Sequence, residues 1–146
     1  MTGERIVGVA TWSTVALAGS AFLAVAFVDT LAVPYAALSV VAFVAGCAAF
    51  VWSYGIAVGR SRTEELSVAG LWFLSGSAPA AVRRRLLAAL VLQSVIAVAA
   101  AAARPFTAVA FGVLFPMLGL GLVGLWGARF GEFPERDDAR GRRSGP

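Results

Sequence analysis

The chain is 146 residues long, 60% hydrophobic and only 14% charged, and its net charge of +4 comes from twelve arginines set against eight acidic residues. That leaves too little polar surface to solvate long uninterrupted apolar helices in water, so the composition excludes a soluble globular domain and selects an all-α membrane protein. With no histidine, one cysteine and no carboxylate inside any long apolar run, it argues equally against a metal centre, Ser-His catalysis and the thiol chemistry of a CxxC pair.

Four runs free of Lys, Arg, Asp and Glu occur at about 6–28, 34–58, 86–103 and 106–127. A helix rises about 1.5 Å per residue and the hydrocarbon core is about 30 Å thick, so each run spans or nearly spans it. Together they predict one membrane domain over 1–128, a four-helix transmembrane bundle, followed by a tail at 129–146.

In the first run Ala16, Leu17 and Ala18 resemble a signal-peptide cleavage site. The apolar stretch nevertheless continues through Phe22, Leu23, Val25, Phe27 and Val28, longer than the roughly 7–15 residues of a secretory apolar region, which favours a retained helix. Ser13, Ala16, Ser20 and Ala24 follow helical spacing and form a smooth stripe for a neighbouring helix. Residues 29–33 are expected to form a short corner, with Asp29 at the end of the first hairpin. In the second run Cys47 reads as a small buried hydrophobe, and Gly55 with Gly59 makes a GxxxG. That motif is either a packing seam or chance in a chain with sixteen glycines.

The loop 59–85 opens on Ser61 and Thr63 followed by Glu64 and Glu65, a pattern that predicts a helix start leading into the apolar segment 66–74. Nine residues cannot span. Containing Trp72 and Phe73, the segment is expected to lie at headgroup level or to plug the mouth of the bundle. Ser77 and Pro79 then predict a further helix that runs through Ala80 and Val82 into Arg83, Arg84 and Arg85 and continues as the third span. In that span Gln93 stands apart from the Ser and Thr residues. Hydroxyls can bond their own helix, whereas an amide needs a partner on a neighbouring one.

Arg104 and Pro105 mark the next corner. Asp29 and Arg104 either pair across the rim there or each face water. In the fourth run Pro116 predicts a kink, Gly119, Gly121 and Gly124 thin the helix, and Gly127 with Gly131 forms a second GxxxG. The tail mixes arginines with Glu132, Glu135, Asp137 and Asp138 and is nearly neutral. It is expected to be disordered beyond the interfacial Phe130 and Phe133.

Arg5, the loop arginines 60, 62 and 83–85, and the tail arginines 129, 136, 140, 142 and 143 fall on one side of this topology, and Arg104 alone falls on the other. Retention of positive flanks in the cytoplasm therefore predicts a multi-pass protein of the cell inner (plasma) membrane with both termini inside. Arg83, Arg84 and Arg85 are primarily a topology anchor, with anionic lipid as a secondary partner. Mixed tail charge without interleaved aromatics argues against a nucleic-acid partner.

An arginine-only basic set with abundant Ala, Val and Gly has the look of a high-GC codon bias. On that general character, and on the segments LWFLSGSAP at 71–79 and RFGEFP at 129–134, the chain resembles the small four-span membrane proteins common in actinobacteria, a group with no assigned activity. The resemblance implies no functional residue and no cofactor. Two function classes remain. The first is a non-catalytic accessory, assembly or scaffold component that packs on a larger membrane protein or on itself. The second is a small oligomeric transporter, channel or holin-like pore. Absence of intramembrane charge favours the first. An enzyme working through Arg, Tyr54 or a lipid substrate is the catalytic alternative.

Overall fold

A computed structural model describes residues 2–135. They form helices α1 (Gly3–Ala26), α2 (Val28–Arg60), α3 (Val68–Trp72), α4 (Ala80–Ala103) and α5 (Pro116–Phe130), with a 3-10 segment at Ala108–Leu114 before α5. Counting that segment with α5, four helices are long and apolar enough to cross a membrane. The chain is a multi-pass membrane protein with an all-α, four-helix architecture.

The first corner is tighter than predicted. Phe27 alone separates α1 from α2, and its backbone N–H closes α1 on the Leu23 carbonyl while its own carbonyl accepts from Thr30 and Leu31. The expected corner at 29–33 is therefore the start of α2, where Asp29 lies in the first turn and complements the positive end of the helix. Pro34 sits inside α2 instead of opening it. Lacking an N–H, it frees the Thr30 carbonyl within two turns of the helix end, where headgroups and water can reach it. The 33 residues of α2 extend about 50 Å, well beyond the hydrocarbon core, and carry Arg60 clear of it.

The kink expected at Pro116 takes the form of a change in helix type. A proline ring crowds the carbonyl four residues before it, and the chain answers by winding 108–114 on i→i+3 bonds before α5 begins at Pro116 itself. Thr107 caps that segment, accepting from Val109 N–H and donating to the Arg104 carbonyl at 2.7 Å.

In packing, α2 lies along α5 and the 3-10 segment, and α1 lies along α4. The fourth span is the centre: 44% of its most apolar window is buried, against 22–28% in the other three. Gly46 of α2 presses on the backbone of Met117 and Leu118, and Gly121 of α5 meets the Gly46 carbonyl in return. A Cβ at either position would strike main-chain atoms, which cannot rotate away. By contrast Gly55 and Gly59, the first GxxxG, face open space, and Gly127 of the second packs under the Leu71 carbonyl. The small-residue stripe of α1 is also shifted. Its buried face runs through Ile6, Ala10, Leu17, Ala21 and Ala24, which leaves Ala16 exposed.

Gly46→Ala and Gly121→Ala are each expected to destabilise the protein by about 1–3 kcal/mol through overpacking, outweighing the ~0.5–1 kcal/mol that alanine gains in helix propensity. Gly55→Ala should leave stability unchanged or slightly raised. Thermal unfolding in detergent, followed by circular dichroism, separates the two signs.

Candidate interaction site at the arginine-bearing end

Inside the bundle, polar groups are turned on one another. Gln93 of α4 is fully buried, and its amide Nε2 donates to Ser13 Oγ at 3.1 Å and Thr14 Oγ1 at 3.0 Å on α1. Both hydroxyls donate in turn to the Ala10 carbonyl, at 3.0 and 2.8 Å, which leaves their lone pairs to accept from the amide. This is the interhelical contact that the residue type predicts. The remaining hydroxyls behave as short side chains in helices do: Thr11, Ser20, Ser39, Ser53 and Ser94 each donate to a carbonyl three or four residues back.

At the end of the bundle that carries the α1–α2 corner, Arg104 does not pair with Asp29. Its Nε donates to the Val25 carbonyl at 3.0 Å, near the end of α1. A guanidinium is a good partner for a helix C-terminus, where carbonyls lack N–H partners and the dipole is negative, so the two hairpins are tied by a cap in place of an ion pair.

The arginine-bearing end is more elaborate. The helix predicted from Ser61 or Thr63 does not form, because α2 continues to Arg60 and both hydroxyls turn back to close it, Ser61 on the Val58 carbonyl and Thr63 on that of Arg60. Glu64 goes to Arg60 at 2.6 Å instead of to a helix start. Helix formation waits for Ser67, whose Oγ accepts from Gly70 N–H at 2.9 Å and opens the single-turn α3. The segment around α3 plugs the mouth of the bundle. Trp72 stacks on Phe50 with centroids 4.4 Å apart and lies against Gly124, where the missing side chain makes room for the ring. Leu71 and Leu74 are buried on either side, while Phe73 points outward and is 58% exposed.

Arg60 holds this plug to the end of α5. Its Nη1 donates to the Ala128 carbonyl and its Nη2 to that of Gly131, both at 2.8 Å, and its guanidinium stands 5.3 Å from the Phe133 ring. One planar fork thus caps α5, stacks on an aromatic and pairs with Glu64. Beyond the helix, residues 131–135 do not leave the protein: Glu132 N–H donates to the Ser77 carbonyl, Glu65 N–H donates to the Pro134 carbonyl, and Phe133 covers Gly70. Backbone bonds as well as Phe133 thus hold 131–135 against the loop, where only the two aromatic side chains were expected to anchor the start of the tail. The rest of the tail, 136–146, lies outside the described residues.

Pro79 immediately precedes α4, while Ser77, expected to start that helix, donates its Oγ to the Gly70 carbonyl instead, and Arg83, Arg84 and Arg85 are exposed in the first turns of α4. At 100° per residue they do not form one cluster. Arg83 and Arg84 lie beside Leu87 and Val91 on one flank, and Arg85 turns to the cleft between α4 and α1. Among the described residues no group of three His, Cys, Asp or Glu could hold a metal ion.

The sequence singled out Gln93, Trp72 and Phe73 and read Arg60 only as a topological charge. The signal that could have promoted Arg60 is its spacing to Glu64, one helical turn on. Nothing in the local pattern around Trp126 distinguishes it from the apolar residues of its span, although its indole N–H proves to be buried without a hydrogen-bond partner among the described residues. Compared with protein families, curated proteins and solved structures, the chain matches none.

Arg60→Gln is expected to lower stability by about 1.5–3 kcal/mol, the range for hydrogen bonds to a charged group, and to release 131–135 from the loop. Arg60→Lys should recover less than half of that loss, since an ammonium cannot serve both carbonyls in a planar fork. Detergent melting curves together with limited proteolysis near Phe133 measure both effects.

Proposed function

We propose that this protein is a non-catalytic component of the cell inner membrane, both termini cytoplasmic, that acts as an accessory, assembly or scaffold subunit by packing its helices on a larger membrane protein. The observation that carries this reading is the contrast between the two kinds of surface. At depth the Ser and Thr hydroxyls bond carbonyls of their own helices, and the Gln93 amide is engaged by Ser13 and Thr14. Along α2, Val51, Trp52, Tyr54 and Val58 are exposed, and a Cβ at Gly55 or Gly59 would meet nothing within 4 Å among the described residues of other elements. A shallow groove beside them is lined by Ala48, Ile56 and Ala128. Small residues on an unpacked apolar flank are what close association of membrane helices requires.

A pore or carrier needs a polar track, and the residues that could build one are Gln93, Ser94 and the Ser13 face. Gln93 is fully buried against α1, while Ser94 lies beside Val95 and Val98 on the outer surface of α4, so the two do not line a common path within one copy. This supports the accessory reading over transport.

Affinity purification of the full chain from its native membrane in mild detergent, followed by mass spectrometry, is expected to recover a larger membrane protein with it. Gly55→Leu and Gly59→Leu should each reduce that recovery without changing the melting of the isolated protein. Recovery of the chain alone, with ion or solute flux in liposomes, would overturn the reading in favour of a pore.

A further inference from the structure

The segment that covers the arginine-bearing end of the bundle is fastened differently from the spans beneath it. Within 65–77 polar groups close on one another: Gly70 N–H donates to Ser67 Oγ, Ser75 N–H to the Ala69 carbonyl, and Ser77 Oγ to the Gly70 carbonyl. Among the described residues no hydrogen bond joins this segment to α1, α2, α4 or α5. Its outward bonds go to the strap 131–135: Glu65 N–H donates to the Pro134 carbonyl at 2.9 Å, and Glu132 N–H donates to the Ser77 carbonyl at 3.0 Å. The strap in turn is fixed by Arg60, whose Nη2 donates to the Gly131 carbonyl and whose guanidinium faces the Phe133 ring. Polar fastening therefore runs in series, from Arg60 to the strap and from the strap to the segment.

The rest of the hold is side-chain contact, chiefly Trp72 on Phe50 and Leu74 among the core residues. Dispersion contacts are short-ranged, so they are lost together once the segment lifts. Leu74 keeps its left-handed φ of +53° only while its side chain is buried, and lifting relieves that strain. Units held by few bonds to their surroundings are those that open locally while the remainder stays folded.

Beneath the segment lies a seam of small residues on α5. The Trp72 ring fills the space where a Cβ of Gly124 would be, the Leu71 carbonyl lies over Gly127, and Ala128 is completely buried with Ala57 and Leu71. Deeper along α5 a face of the same kind, at Gly121, seats a whole helix, α2. Here a loop takes that place.

We propose that 65–77 is a lid, latched by Arg60 through the strap, which lifts from the mouth of the bundle while the four spans stay folded, and which in its shut position covers the α5 seam from Gly124 to Ala128. Lifting needs no second protein, so the lid is independent of the accessory reading.

Hydrogen–deuterium exchange of the full chain in detergent, resolved into peptides by mass spectrometry, tests it. Peptides within 65–77 should exchange completely while those of 86–100 and 116–126 remain protected. Arg60→Gln should speed exchange in 65–77 by about ten-fold or more, the loss expected for hydrogen bonds to a charged group. Phe133→Leu, which removes the ring facing the guanidinium, should speed it about two- to five-fold, and it decides the matter should Arg60→Gln fail to fold. Uncovering of the seam is read by adding a water-soluble maleimide to Ala128→Cys in a Cys47→Ala background. That thiol should be modified, and faster with Arg60→Gln, under conditions that leave Ala97→Cys, completely buried in α4, unmodified. Exchange of 65–77 only together with the spans, unchanged exchange there in the folded variants, or modification of the two thiols at one rate would overturn the proposal.

Discussion

Everything in this bundle is positioned by the backbone contact between Gly46 of α2 and the Met117–Gly121 stretch of α5. Lipid tails are as apolar as leucine, so helices in a bilayer gain little from hydrophobic burial and associate instead through close van der Waals packing. Gly46 and Gly121 allow that approach, and the depth at which they seat α5 fixes its other neighbours. Gly119 then faces Gln93 of α4, Gly124 receives the Trp72 ring, and Gly127 lies under the Leu71 carbonyl. The glycines of the fourth span thus serve α4, α2 and the loop in turn, which is why this span is the most buried of the four.

The loop is held to this axle at a cost. Leu74 has a φ of +53°, a left-handed conformation that costs a branched side chain about 1–2 kcal/mol. Its side chain is completely buried with Ile6, Leu86, Val123 and Trp126, and full burial of a leucine contributes about 1.5–3 kcal/mol, enough to offset the strain. Phe106 has a φ of +63° and is fully exposed, so no packing among the described residues offsets it. An aromatic ring standing out from a corner between spans is placed for the interfacial zone of the bilayer, the environment that Trp and aromatic belts occupy. One left-handed residue is therefore stabilised by the core and the other by the solvent that surrounds the protein.

The spans and the Gln93 contact were legible because each follows from a residue's intrinsic needs: charge-free runs of that length suit a crossing, and an amide at depth must find a partner, whereas the segment 66–74 was readable only as too short to span. What escaped was set by tertiary context. Asp29 and Pro34 carry corner signals, yet Phe27 turns the chain alone and both residues fall inside α2. Glu64 following Ser61 and Thr63 looks like a helix start, but Arg60 competes for its carboxylate and the hydroxyls close the preceding helix. Gly46 belongs to no GxxxG, while the Gly55 and Gly59 pair that forms one faces open space among the described residues. Spacing identifies surfaces capable of close approach, and only the assembled helices decide which of them is used.

Besides Glu64 Oε2, which meets Arg60, three buried polar atoms lack hydrogen-bond partners among the described residues, and each lies against a glycine of another helix. Tyr35 Oη lies against Gly112 and Gln93 Oε1 against Gly119, each occupying the space where a Cβ would be, so packing closes off any approach to them. Their unmade bonds are a cost of close helix contact, tolerated because the alternative is a wider interface along the whole span. Trp126 Nε1 lies in the same way against Gly3, at the first turn of α1. A donor left unpaired in a closed interior can only destabilise. The glycine seams of this bundle therefore forgo hydrogen bonds at isolated points in return for continuous close contact along the spans.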